Sequence, residues 1–213
     1  MSTATAPVAA PATDREELLA PFPTLEAVRA RLDSMGLDEA SRAIAEPNDG
    51  TPPREALVAA ARALQKAGHV DDAISVLAQG LSRRGAAWWA CRAARFEPGG
   101  PAPAESGTLT YAEKWVRRPE QGIAYAAFEA ATNGGVGNPA GCAAMAAFLA
   151  GDSLVPAHLP PLPPAGHLAG MLAAGGVKLA AVRREPIKAD AHRAALMDIG
   201  FAIASGTDRW KEG

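Results

Sequence analysis

Alanine fills 51 of the 213 positions, about half of a hydrophobic fraction of 48%, while Phe, Trp and Tyr together supply 5%. Side chains this thin bury enough surface only where backbones approach closely. Alanine is also the strongest helix former and a poor strand former. The composition therefore predicts an all-α protein: a compact bundle or short superhelix of about eight to ten helices, in a chain long enough to enclose a sizeable core. Balanced charge, 21 basic against 23 acidic residues for a net of −2, provides no field for a phosphate backbone or an anionic membrane. Neither a nucleic-acid partner nor membrane insertion is expected. The nearly apolar run Leu168 to Val182 is shorter than the ~20 residues that span hydrocarbon and contains Lys178 and Gly175-Gly176, so it reads as a buried helix.

Residues Met1 to Ala12 lack a basic n-region and are followed by Asp14, Arg15, Glu16 and Glu17 instead of an apolar stretch, so a cytoplasmic location with reduced thiols is expected. Small residues and Pro7, Pro11, Pro21 and Pro23 make residues 1–23 a disordered tail, leaving 24–213 as a single all-α domain. Within it, Thr24 caps a first helix and Gly36 ends it, and a second runs from Asp38 to Ala45 before the turn residues Pro47 to Gly50. Thr51 with Pro52 at the first helical position opens a helix carrying Leu57, Ala60, Ala61 and Leu64. After Gly68, the stripe Val70, Ile74, Leu77, Leu81 marks its antiparallel partner. This hairpin resembles half a tetratricopeptide unit, but no second copy follows at the required period.

A helix over Gly85 to Phe96 precedes a Pro- and Gly-rich stretch, 97–107, that is the best internal boundary. Ser106 or Thr108 then caps a helix ending before Pro119, and another spans Glu120 to Thr132. Asn133 to Asn138 closes that helix and opens the next at Asn138-Pro139, whose Cys142, Met145, Ala146 and Leu149 share one face. Five prolines within 151–166 exclude a helix and predict an extended, partly polyproline strap carrying Leu154, Leu159 and Leu162. Pro160-x-x-Pro163 and Pro161-x-x-Pro164 meet the minimal spacing read by aromatic grooves, but no flanking Arg or Lys orients such a ligand. Two last helices, His167 to Arg184 and Pro186 to Ser205, are separated by Glu185-Pro186.

No catalytic residue is assigned. There is no G-x-S-x-G elbow, and the four histidines suit capping or surface positions. The glycines of 133–141 lack the Lys and hydroxyl of a phosphate loop, no metal-ligand spacing recurs, and no cofactor is expected. Cys91 beside Arg92 is a small core residue or, in an enzyme or small-ligand alternative, a thiol near an inter-helix pocket. What stands out is aromatic and basic. At 100° per residue Trp89, Ala93 and Phe96 share one face, while Trp88, Arg92 and Arg95 share another; Trp115 with Arg117 and Arg118 forms a second such spot. Trp and Arg dominate interface hot spots. Trp88, Arg92, Arg95, Trp115 and Arg118 are therefore the candidate partner-binding residues, unless the rings simply cap a core short of large side chains.

The runs Arg83-Arg84-Gly85-Ala86-Ala87-Trp88-Trp89-Ala90-Cys91-Arg92 and Asn138-Pro139-Ala140-Gly141-Cys142-Ala143-Ala144, with Gly151-Asp152-Ser153-Leu154 and the proline strap, resemble an uncharacterised bacterial family similar to accessory proteins encoded in type VI secretion gene clusters. The resemblance covers the chain from about Thr51 onward and carries no catalytic residues. It implies a secretion context, with a secretion component or effector as protein partner. The expected function is a non-enzymatic accessory or adaptor protein; a purely structural helical scaffold is the remaining alternative.

Overall fold

The computed structural model describes residues 23–44 and 51–210; the expected tail up to residue 22 and the Pro47–Gly50 turn lie outside the described residues. Among those described, ten α-helices and no strand are found, so the chain is all-α. They are α1 (Leu25–Ser34), α2 (Asp38–Arg42), α3 (Pro53–Lys66), α4 (Val70–Gly80), α5 (Arg83–Phe96), α6 (Pro103–Arg117), α7 (Gln121–Gly134), α8 (Pro139–Ala150), α9 (Leu168–Val182) and α10 (Ala189–Ala204), with a 3₁₀ turn at Pro186–Lys188 before α10.

Helix ends follow local chemistry. Thr24 accepts the Ala27 amide and Ser82 that of Gly85, and Asn138 accepts the Gly141 amide at 2.8 Å while its Nδ2 donates to the Gly135 carbonyl at 3.0 Å. One side chain thus satisfies both sides of the α7–α8 turn. Two starts differ from expectation. Thr51 does not cap α3; Pro52 stands at the cap with ψ 141° and Pro53 opens the helix, because a residue preceding proline is driven out of the helical region. Likewise α6 begins at Pro103, ahead of Ser106 and Thr108: Pro103 supplies the first helical position, and Glu105 reaches back to the Ala102 amide at 3.2 Å.

The core is one connected cluster running from Leu25 to Trp210, built around α8, which packs against α5, α6, α7 and α9. The architecture is a bundle around a central helix. Here the one-face expectation for α8 fails. Its alanines and Cys142 are buried on all sides, whereas Met145 and Leu149 are only half-buried at its edge. Four neighbours can close on one helix only where its side chains are short, so bulk is displaced to the margin. The same logic acts at two glycines. A Cβ on Gly176 of α9 would lie 3.0 Å from the Cys142 Cβ, and one on Gly200 of α10 would lie 2.7 Å from the Trp89 ring and 2.8 Å from Leu77. Trp89, fully buried, donates its indole N–H to the Leu196 carbonyl at 2.9 Å. The 151–166 strap joins α8 to α9. No helix among the described residues is long and apolar enough to cross a membrane.

Candidate interaction surface

Helix α5 was expected to present Trp88, Arg92 and Arg95 outward. Trp88 is instead buried, at 9% exposure, because the segment after α10 folds back over it. Its indole N–H donates to Asp208 Oδ1 at 3.0 Å, and Trp210 meets it edge-on with ring centres 6.5 Å apart. Arg92 adds an ion pair to Asp208 Oδ2 at 3.0 Å and stands 5.7 Å from the Trp88 ring. The Trp-Arg pair read from helical periodicity is therefore real, but its carboxylate partner comes from this chain's own C-terminal segment. Trp210 is held from its other side by Arg84, whose guanidinium lies 4.4 Å from the ring and donates to the Val116 and Arg117 carbonyls at 2.6 and 2.9 Å. Those carbonyls end α6 and have no partner within the helix, so a buried arginine caps α6 and supports the C-terminal segment together.

Trp115 is buried as well. A sequence rich in alanine offers few large side chains to fill the space between helices, and these rings are drawn inward. The arginines remain at the surface. Arg95 makes a bidentate pair with Glu113 at 2.8 and 2.9 Å, and Arg117 approaches the same carboxylate at 3.8 Å. Donating these hydrogen bonds to Glu113 raises the Arg95 pKa further. Arg118 is 75% exposed and pairs at 2.5 Å with Glu120. On the outer side of α6, Tyr111, Lys114 and Arg118 recur at helical spacing and are all exposed, with the Lys114 ammonium 5.4 Å from the Tyr111 ring. The structure thus brings together Arg92, Arg95, Lys114, Arg117 and Arg118 on the adjoining helices α5 and α6 and removes Trp88 and Trp115 to the interior. Sequence reasoning missed Arg84, Glu113, Asp208 and Trp210. The available signal was Trp210 itself, a large aromatic in a polar terminal segment that needs a covering surface.

Both thiols are buried, and burial disfavours their thiolate forms. Cys91 is fully buried, and burial pushes its pKa well up, with the Glu113 charge adding to the shift and the Arg117 and Arg95 charges opposing it. Burial also pushes Cys142 to about 11. A cleft of about 520 Å³ lies between α3 and α10, lined by Arg54, Val58, Arg62, Asp198 and Phe201 and without Cys91. Among the described residues no group of three or more His, Cys, Asp or Glu could hold a metal ion. The stretch expected as a subdomain boundary is bridged by charge: Arg183 and Arg184 of the α9 end lie 2.9 and 3.2 Å from buried Glu97, and Arg183 also holds Glu105 at 2.9 Å.

Residues 60–204 match the profile of DUF6931, described as a family of unknown function. Neither a curated protein nor a solved structure matches the chain.

Proposed function

This chain belongs to DUF6931, and we propose that it is a non-enzymatic adaptor that docks an acidic protein surface through the exposed basic face of α5 and α6. The observation that carries this reading is the charge balance of that face. Arg95 and Arg117 share the single carboxylate of Glu113, and the Tyr111-Lys114-Arg118 row beside them is exposed. Shared pairing leaves a net positive field on a rigid pair of helices, and such a field speeds encounter with an acidic partner and fixes its register. A tyrosine among the cations adds an apolar contact whose phenol tolerates water. The likeness of the paired-tryptophan run to accessory proteins of type VI secretion clusters supplies the context: the partner is a secretion component or effector, met on the cytoplasmic side.

The test is co-purification of the tagged protein with the co-expressed products of a type VI gene cluster. Wild type is expected to retain one of them, and Lys114→Glu with Arg118→Glu to lose it at least ten-fold while Tm stays within about 2 °C, since neither side chain is in the core. Retention that survives the charge reversal removes the docking face. Failure of wild type to retain any cluster product removes the secretion context.

A further inference from the structure

The strap carries two consecutive Leu-Pro-Pro triplets, Leu159-Pro160-Pro161 and Leu162-Pro163-Pro164. Proline fixes its own φ near that of a polyproline helix, and each residue before a proline is driven to extended ψ, so between them the four prolines constrain every residue of the six. A polyproline helix turns once in three residues. The chain bends at Leu159, whose amide donates to the Pro156 carbonyl at 2.9 Å, so the extended stretch runs from Pro160 to Pro164, with Leu162 on one edge, Pro160 and Pro163 on another, and Pro161 and Pro164 on the third.

The structure distinguishes these edges. Pro164 is buried and anchors the third edge, whereas residues 156–163 are all exposed, with Leu159 at 46% and Leu162 at 55%. The base of the strap is tied down. Leu154 donates its amide to the Leu162 carbonyl at 2.8 Å, and Ser153 Oγ accepts the Leu162 amide at 3.1 Å. On the α7 side, Tyr125 donates to the Leu154 carbonyl at 2.8 Å and Gln121 to that of Val155 at 2.6 Å. An apolar ridge is thus held outward on a fixed base instead of lying flat over the helices.

We propose that this ridge is a preformed polyproline ligand for a second protein that presents an aromatic-lined groove. Preorganisation favours this occupant, because the entropy of ordering the ligand is already spent in folding. Pro160 and Pro163, one turn and about 9 Å apart along the axis, form an exposed edge spaced to enter two adjacent pockets, and the exposed Leu159 and Leu162 flank it. Four of the six residues have no N–H, so the ridge offers acceptors and apolar surface and suits a groove with tyrosine or tryptophan donors. No Lys, Arg, Asp or Glu occurs between Asp152 and Lys178, which points to a groove with an uncharged rim. A second copy of this chain does not fit the requirement: among the described residues Tyr111 is the only exposed Phe, Tyr or Trp, so they offer no aromatic-lined groove for the ridge.

The test titrates methyl-labelled protein with two purified probes, a WW domain and an SH3 domain, following the leucine methyl signals by NMR. Binding by at least one probe is expected to shift the Leu159 and Leu162 methyls with a sub-millimolar Kd. Leu159→Ser with Leu162→Ser should weaken it at least ten-fold at unchanged Tm, and Lys114→Glu with Arg118→Glu should leave it intact, which separates this site from the basic face. Absence of shifts with both probes at millimolar concentration, or shifts confined to other leucines, overturns the proposal. Self-association that depends on the two leucines also overturns it, by assigning the ridge to a second copy.

Discussion

Trp88 shows how a single residue can be read correctly by chemistry and misplaced by geometry. Its helix, its facing and its proximity to Arg92 all follow from spacing in α5; its burial follows from Asp208 and Trp210, more than a hundred residues away. Trp88→Ala is therefore expected to cost about 3–5 kcal/mol in urea unfolding, the range for a deleted core aromatic. Asp208→Ala should cost only about 1 kcal/mol, since Arg92 remains partly in water. Equal losses for the two would mean that the carboxylate, not the ring, holds the C-terminal segment. Gly200 offers a sharper case. Alanine there places a methyl within 2.7 Å of Trp89 and is expected to destabilise by about 1–3 kcal/mol despite its better helix propensity. A stabilised variant would show that α10 can move away freely. Nothing in the local sequence marks Gly200 as a contact point, because the ring it meets belongs to another helix.

At the scale of the element, the stripe of α3 was legible residue by residue: Leu57, Ala60, Ala61 and Leu64 are the positions it buries. That helix lies at the edge of the bundle, where one side faces water and periodicity carries the signal. For α8 the pattern failed, because a helix enclosed by four others has no polar face to set the phase. The consequence is measurable. Met145→Ala, at the half-buried margin, should cost about 1 kcal/mol or less, whereas Ala147→Leu, at a fully buried position, should cost at least 1–3 kcal/mol by forcing helices apart. The reverse order would place the margin of α8 at its alanines. The proline strap divides the same way: that it is not a helix is dictated by its prolines, while the outward stance of Leu162 depends on its hydrogen bonds with Ser153, which accepts, and Leu154, which donates.

For the whole molecule, both thiols are protonated in the folded state, with raised pKa values, while an unfolded chain ionises them near their ordinary value of about 8.5. The folded state then binds more protons than the unfolded one above that pH, so stability falls as pH rises from about 8.5 and continues to fall through about 11, the Cys142 value. The slope contributed by each thiol is at most about 1.4 kcal/mol per pH unit. Replacing Cys91 and Cys142 with alanine should flatten this alkaline limb in unfolding measured across pH; an unchanged limb would show that the thiols ionise alike in both states. The all-α class, the caps at Thr24 and Asn138, the two-helix hairpin and the break at the strap are properties of the sequence itself, since propensity, proline geometry and capping act between residues close in the chain. Which alanines lie innermost, which tryptophans are buried, and which carboxylates pair with the arginines of α5 and α6 were decided by tertiary structure alone. Those outcomes depend on how closely distant helices approach, and approach distance is set by pairs of side chains that no local pattern brings together.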